Sequence, residues 1–130
     1  MVERVPPTRK PMRRVVIIDD EPAFVDMLTK MVSEFEYEIT ISTDARSSYT
    51  YEIRDSDIVF VDIMMPNVTG LQVLEQLARQ NVKSPIVLMS GNLGRLDEAE
   101  KLGRKLELNL VGALEKPFRL EDVKVILDFI

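Results

Sequence analysis

The sequence contains no cysteine and no histidine among its 130 residues. Without cysteine the chain forms no disulfides and offers no thiolate for catalysis or for binding zinc or iron–sulfur clusters. Without histidine it has no catalytic triad, no histidine base and no histidine-ligated metal. Its chemistry therefore depends on carboxylates, hydroxyls, Lys, Arg and the backbone, and any bound metal is expected to be a hard ion such as Mg²⁺ or Mn²⁺.

Long apolar runs are also absent. None approaches the roughly 18 residues of a membrane helix, and the first run, residues 15–18, is too short for the core of a signal peptide. Apolar residues make up 45% of the chain and charged residues 30%, as in folded globular proteins, and the length suits one domain. We therefore expect a soluble, cytoplasmic protein.

Charge is unevenly distributed along the chain. The net charge is −5, yet the first fourteen residues carry five basic side chains and one acidic one, so that residues 15–130 carry 12 basic and 21 acidic residues. An acidic body argues against direct nucleic-acid binding. Because the start of the chain also contains Pro6, Pro7 and Pro11, we expect residues 1–12 to form a basic arm and residues 13–130 to form the domain.

From residue 15 onward, short apolar runs alternate with segments of helical periodicity. The runs at 15–18, 58–61 and 86–89 are apolar throughout, which is typical of strands covered on both faces. Two further runs, at 39–41 and 110–114, complete five predicted strands. Apolar residues between and after the runs recur every three or four positions, more weakly around Ala45, Tyr49 and Ile53. This βαβαβαβαβα order predicts an α/β fold, a parallel sheet with helices on both faces.

Polar residues follow four of the five predicted strands, at the edge where parallel α/β sheets bind ligands. The second strand is followed by Thr43 and Asp44, which carry no clear signal. The other four strands are followed by Asp19, Asp20 and Glu21; by Asp62; by Ser90; and by Glu115, Lys116 and Pro117.

The three aspartates would converge if the first and third strands are neighbours. Two carboxylates at about 5 Å repel by roughly 3 kcal/mol at an effective dielectric near 20, so their clustering needs a compensating charge. A divalent cation and Lys116 would supply it. Such a site suits phosphoryl chemistry, because a carboxylate can attack phosphorus to form an acyl phosphate while Ser90 donates a hydrogen bond.

These motifs resemble the receiver domain of two-component response regulators, the family of the chemotaxis receiver. The resemblance covers residues 13–130. The gaps between successive motif residues make it specific: 42 residues from Asp20 to Asp62, 28 from Asp62 to Ser90 and 26 from Ser90 to Lys116. It implies a flavodoxin-like, doubly wound (βα)5 fold with strand order 2-1-3-4-5. The matching motifs are Asp19-Asp20-Glu21-Pro22, Val61-Asp62-Ile63-Met64-Met65-Pro66 with Gly70 following, Met89-Ser90-Gly91, and Glu115-Lys116-Pro117-Phe118.

The resemblance also implies roles for the acidic residues. Asp62 would accept the phosphoryl group and share in binding Mg²⁺. Asp20 would bind the ion directly, Asp19 would bind it directly or through water, and the backbone carbonyl of Met64 would complete the protein ligands. The phosphoryl donor would be a phosphohistidine on a sensor histidine kinase or phosphotransfer protein, which must be a separate molecule because this chain lacks histidine.

The remaining matched residues would sense the phosphoryl group. Lys116 would pair with it, and the peptide bond from Lys116 to Pro117 is often cis in this family. Ser90 would be the switch hydroxyl, and Gly91 beside it would leave room for the phosphoryl group to enter.

The sequence departs from the family pattern at two places. Most receivers carry an aromatic residue three positions before the active-site lysine, where this chain has Ala113, so coupling cannot depend on a ring at that position. Residues 104–109 lengthen the helix or loop before the last strand, as in some receivers fused to EAL-type cyclic-di-GMP phosphodiesterases. The sequence does not identify the output domain, and it leaves open whether phosphorylation causes homodimerisation.

Two other functions fit part of the pattern. A Mg²⁺-dependent phosphatase or phosphotransferase with an aspartyl intermediate would use the same acids, but that class usually has a second acid two residues after the nucleophile, where this chain has Met64. A docking scaffold would not need the acids and Lys116. The sequence therefore favours a signalling module that catalyses only its own phosphorylation and dephosphorylation.

Overall fold

Five strands and four helices make up the regular structure of residues 12–42, 53–65 and 69–130, which the computed structural model describes. The predicted helix around Ala45 and Tyr49 lies outside these residues, as do Thr43, Asp44, Pro66 and the predicted arm except for Met12. In chain order the elements are β1 (Arg13–Ile18), α1 (Pro22–Ser33), β2 (Tyr37–Ser42), β3 (Ile58–Asp62), α2 (Gly70–Arg79), β4 (Ile86–Ser90), α3 (Leu93–Lys105), β5 (Leu110–Glu115) and α4 (Leu120–Phe129).

The strands form one parallel sheet of order β2-β1-β3-β4-β5. This is the predicted strand order, and the fold class is confirmed. β1 lies directly beside β3, with Ile18 paired to Val61. The order reverses between these two strands, so the chain that follows β1 and the chain that follows β3 leave the sheet side by side.

The central strands are covered on both faces, as their unbroken apolar runs predict. Successive strand residues point to opposite faces. Val15 and Ile17 therefore pack in one layer with Leu28 of α1 and residues of α4. Val16 packs in the other layer with residues of α2 and α3. The edge strands β2 and β5 are only partly buried, in agreement with the alternating pattern of residues 39–41.

Local sequence signals fix where the helices begin. Pro22 occupies the first turn of α1, where its missing N–H is not needed. Thr69 caps α2, since its hydroxyl accepts a hydrogen bond from the backbone N–H of Gln72, whose side chain accepts one from the Thr69 N–H. The longest described helix, α3, has 13 residues, and no helix within the described ranges is long and apolar enough to cross a membrane.

A partly buried ion pair links β1 and β3 at the amino ends of these strands. The guanidinium of Arg14, on β1, lies 2.6 Å from the carboxylate of Asp57, just before β3. The same carboxylate accepts a hydrogen bond from the backbone N–H of Arg54. These contacts tie β1 to β3 at their amino ends and so hold the register that brings their carboxyl ends together.

Gly70 lets α2 begin against the segment that leaves β3. Its N–H donates a 3.2 Å hydrogen bond to the carbonyl of Ile63, the residue after Asp62. A Cβ built on Gly70 would lie 2.2 Å from the Ile63 Cα. A side chain is therefore excluded at this position by backbone atoms, which cannot rotate away as a side chain can.

We expect Gly70→Ala to destabilise the protein by roughly 1–3 kcal/mol, the range for forced overpacking, because α2 must move away from Ile63. Gly91→Ala is the matched control, since a Cβ there meets no atom within 4 Å. Urea denaturation of both variants measures the difference. Equal stability of the two alanine variants would show that α2 is not closely packed on this segment.

Candidate functional site

The carboxyl ends of four adjacent strands place the predicted site residues along one edge of the sheet. Asp19 directly follows β1, Asp62 and Ser90 are the last residues of β3 and β4, and Lys116 directly follows β5. The backbone N–H of Lys116 donates a 2.8 Å hydrogen bond to the carbonyl of Ser90. Residues that lie up to 97 positions apart in the chain thus become neighbours.

Asp19, Asp20 and Asp62 form the acidic cluster. One carboxylate oxygen from each lies within 4.8 Å of the other two. Asp19 and Asp62 are only 1% and 2% exposed, and Asp20 is half-buried. The backbone orients the two buried carboxylates, because Asp19 accepts a hydrogen bond from the N–H of Glu21 and Asp62 accepts one from the N–H of Met64.

The Lys116 ammonium contacts two of these carboxylates, those of Asp19 and Asp62. Its Nζ donates a 2.9 Å hydrogen bond to Asp19 Oδ2 and lies 3.5 Å from Asp62 Oδ2. A third carboxylate oxygen, on Glu21, lies 3.6 Å away. The Lys116 side chain is only 7% exposed, so water screens these charges weakly. Its peptide bond to Pro117 is cis.

Burial and neighbouring charges shift the pKa values of both groups. Burial raises the pKa of Asp62 from 3.8 to about 6, and the charge of Asp19 adds to this rise against the opposing effects of the Met64 N–H and of Lys116. Burial by itself lowers the pKa of Lys116, but the hydrogen bond to Asp19 and the negative charges of Asp62, Asp19 and Glu21 outweigh it and raise that pKa above 10.5. Lys116 therefore stays positively charged beside an aspartate that titrates near neutral pH.

Ser90 and Gly91, for which a switch role is predicted, lie at the carboxyl end of β4. Ser90 is fully buried, and its hydroxyl accepts a 3.0 Å hydrogen bond from the N–H of Asn92 at the start of α3. Gly91 lines a cavity of about 300 Å³ together with Asp62 and Lys116. An added Cβ would meet nothing within 4 Å there, so this side of the cavity is open.

Met64 and Ala113 complete the predicted set. Met64 contributes its N–H to Asp62 and a half-exposed side chain to the cavity wall. Ala113 lies on β5, paired with Leu88, and packs in the apolar layer of α2 and α3. The methyl group at position 113 thus contributes to core packing.

Two residues in the site were not assigned a role from the sequence, Phe24 and Glu21. The Lys116 Nζ lies 4.1 Å from the centroid of the Phe24 ring, and both Phe24 and Glu21 line the same cavity. Phe24 belongs to the apolar stripe of α1, so its periodicity indicated core packing. Its position one turn from the acidic motif was the signal that could have placed it here.

Lowering the pH is expected to remove an unfavourable charge from the native protein. The pKa of Asp62 is raised to about 6 on folding, so between about pH 4 and 6 the native state binds a proton that the unfolded chain releases, and ionised Asp62 costs stability above that range. In EDTA we expect Asp62→Asn to exceed the wild type in stability at pH 8 by on the order of 3 kcal/mol.

The measurement is urea denaturation of both proteins from pH 8 to pH 4. The excess stability of Asp62→Asn should shrink as the pH falls through 6 and vanish near 4. Asp55→Asn, at an exposed loop position, is the control and should match the wild type at every pH. A constant difference between wild type and Asp62→Asn across the range would contradict the raised pKa.

The fold and this site define a flavodoxin-like α/β domain with an acidic centre at the switch point of its sheet. A family model for the response regulator receiver domain matches residues 15–128. The chain belongs to this family and is a receiver domain of two-component response regulators. The family resemblance predicted from the motifs is thereby confirmed.

Curated relatives are similar to this chain over most of its length. SphR of Synechococcus elongatus, a transcriptional regulatory protein of alkaline phosphatase synthesis, is 29% identical over 124 aligned residues, covering 88% of this chain and 47% of that protein. PhoP of Bacillus subtilis, named for the same process, is 26% identical and covers 85% of this chain and 45% of that protein. The chain thus spans less than half the length of either relative.

Solved structures agree with this assignment. A response regulator from Colwellia psychrerythraea is 28% identical, superposes with a TM-score of 0.83, and the match covers 92% of this chain and 96% of that one. The chemotaxis protein CheY4 of Vibrio cholerae, at 22% identity, has a TM-score of 0.76 over 92% of this chain and 99% of that one. The second match shows the shared fold alone.

Proposed function

We propose that Asp62 is the phosphoryl acceptor of this receiver domain and that phosphorylation there changes its conformation. One observation carries the proposal. The Asp62 carboxylate is buried at a strand end, yet it lines an open cavity and lies 3.5 Å from the Lys116 ammonium. A buried carboxylate in this position can attack an incoming phosphoryl group, and the fixed cation beside it can then pair with the transferred group.

The acidic cluster suits a bound Mg²⁺ ion. Its donors are hard carboxylate oxygens close enough to share one ion, and the cluster holds more negative charge than Lys116 alone neutralises. Asp19, Asp20 and Asp62 would hold the ion, with the backbone carbonyl of Met64 as a further ligand. When bound, Mg²⁺ supplies positive charge to the phosphoryl oxygens.

The transfer itself is a displacement at phosphorus. An oxygen of ionised Asp62 forms the new P–O bond of an acyl phosphate as the P–N bond of the donor phosphohistidine breaks. The electron pair of the broken bond returns to the imidazole nitrogen, which then takes up a proton. Lys116 stays protonated and pairs with the transferred group. Ser90 donates its hydroxyl hydrogen to a phosphoryl oxygen, and the movement of Ser90 shifts the segment that leads to Asn92.

The partners follow from the family. Receiver domains interact with histidine kinases or phosphotransfer proteins, and we propose such a protein as the phosphoryl donor here. We propose residues 13–130 as the receiver domain, with residues 1–12 as a basic arm. An output domain, EAL-type or other, and a phosphorylation-dependent homodimer are proposals for the whole protein, and a cytoplasmic location without direct nucleic-acid or membrane binding stays a prediction.

Turnover of an external phosphorylated substrate is less well supported. A phosphatase of this chemistry needs an acid to protonate its leaving group, and the position two residues after Asp62 is Met64. A phosphorylation-independent scaffold is also less well supported, because the buried contacts between Lys116 and the aspartates cost desolvation free energy that simple packing would avoid. We therefore favour a signalling module over an enzyme acting on other molecules.

Incubation with a small acyl phosphate and Mg²⁺ should add a single phosphoryl group to the protein, measured by intact-mass spectrometry. The adduct should be lost in Asp62→Asn, since an amide oxygen is a far weaker nucleophile toward phosphorus. Asp55→Asn replaces an exposed loop aspartate away from the site and should keep the adduct. Rapid turnover of a phosphorylated metabolite would instead favour the phosphatase, and an unmodified wild type with or without Mg²⁺ would favour the scaffold.

Lys116→Ala should leave the protein folded but impair switching, because the phosphoryl group loses its fixed cation while the apolar layers are untouched. The measurement is a beryllofluoride titration followed through the backbone amide resonances of Ser90 and Asn92. These should shift in the wild type and move much less in Lys116→Ala. Lys124→Ala, on the exposed side of α4, should respond like the wild type. Global unfolding of Lys116→Ala would show that the lysine is structural.

A further inference from the structure

The aromatic ring of Phe24 lies directly against the Lys116 ammonium, with 4.1 Å between Nζ and the ring centroid. We propose that Phe24 is a positioning residue for phosphoryl transfer, which holds the ammonium of Lys116 toward Asp62. This inference rests on the proposed function, since it concerns how Lys116 is kept ready for the phosphoryl group. The distance is within the range of about 6 Å over which an aromatic face attracts a cation.

The Phe24 ring is itself held in place by the ring of Phe118. Its centroid lies 6.3 Å from that of Phe118, and the two rings are inclined by 43°, a tilted arrangement within the favourable range for aromatic pairs. Phe118 is buried in the layer of α1 and α4, and Phe24 packs against the same layer. Because Phe24 follows Pro22 in the first turns of α1, helix and core together fix the ring beside the site.

A fixed ring matters because Lys116 has three competing acceptors. Asp19 and Asp62 are buried, whereas the Glu21 side chain is 53% exposed and lies 3.6 Å from Nζ. Without a restraint, the Lys116 ammonium could pair with the exposed Glu21 carboxylate and move toward solvent. The ring attracts the ammonium without accepting a conventional hydrogen bond, so the N–H groups remain directed at carboxylate or phosphoryl oxygens.

The ring also excludes water from one side of the ammonium. Phe24 and Lys116 line the same cavity as Asp62, and the Lys116 side chain is almost completely covered. Replacing the ring with a smaller aliphatic side chain would admit water and allow Lys116 additional rotamers. The expected consequence is slower phosphoryl transfer, because the ammonium is no longer held next to the position that the phosphoryl oxygens occupy during transfer.

The test compares Phe24→Leu, Phe24→Met and Phe24→Tyr with Phe35→Leu. Leucine and methionine keep an apolar side chain without the ring, and tyrosine keeps the ring. Phe35 packs against the same apolar layer but follows the far end of α1, and the helix from Phe24 to Ser33 spans about 14 Å at about 1.5 Å per residue. Two ring-deleting variants are used so that a folding defect in one, detected by thermal denaturation, does not decide the result.

The first readout is the rate of adduct formation with a small acyl phosphate at saturating Mg²⁺. Phe24→Leu and Phe24→Met should be slower than the wild type by about 2- to 30-fold, the factor that corresponds to cation–π contacts. Phe24→Tyr should restore the rate, and Phe35→Leu should keep it. The second readout is the NMR resonance of the Lys116 Hε protons, which ring currents displace in the wild type and in Phe24→Tyr only.

The outcomes separate the inference from the function beneath it. Wild-type protein that forms no adduct overturns the proposed function, and the positioning role falls with it. Wild-type protein that forms the adduct at the same rate as Phe24→Leu and Phe24→Met overturns the positioning role alone. A Lys116 Hε resonance that does not change when the ring is deleted also overturns it, because the ring and the lysine are then not in contact.

Discussion

Two buried carboxylates, Asp19 and Asp62, share one ammonium at the edge of the sheet, and the remaining features of the site depend on that shared contact. Without Lys116 the two acids would repel each other by a few kcal/mol at the effective dielectric of a partly covered site. With Lys116 in place they still carry an excess of negative charge, and burial, reinforced by the charge of Asp19, raises the pKa of Asp62 to about 6. The site is thus stable enough to fold and remains attractive to a cation and a phosphoryl group.

The sheet makes this contact possible through its strand order. β1 and β3 are adjacent and parallel, so the residues that follow them emerge at one edge. Arg14 and Asp57 link β1 to β3 at the amino ends of these strands. Gly70 lets α2 begin in close contact with the chain that follows Asp62. A slip of one residue between strands would turn the buried carboxylates to the other face, so the packing of distant apolar residues maintains the chemistry of the site.

The local environment of Lys116 sets this chain apart from the common receiver pattern. The aromatic residue expected three positions before the lysine is replaced by Ala113, which packs in the core. An aromatic residue does contact the lysine, but it is Phe24 of α1. Phe24 differs from a rotating switch residue because Phe118 and the helix fix its ring. We therefore propose that conformational signalling in this chain uses Ser90 and the start of α3, since position 113 carries no ring.

The sequence by itself determined the five strands, the four described helices and their parallel arrangement, because hydrophobic periodicity and strand-end signals are local in the chain. It also identified Asp19, Asp20, Asp62, Ser90 and Lys116, since polar residues after apolar runs collect at one edge of any parallel sheet. It did not reveal the contact between Phe24 and Lys116. The apolar stripe of α1 assigned Phe24 to the core, and only tertiary packing decides how a residue at the border of that stripe is placed. The pKa of Asp62 likewise came from the structure, because burial and the distances to Asp19 and Lys116 exist only once the strands are assembled.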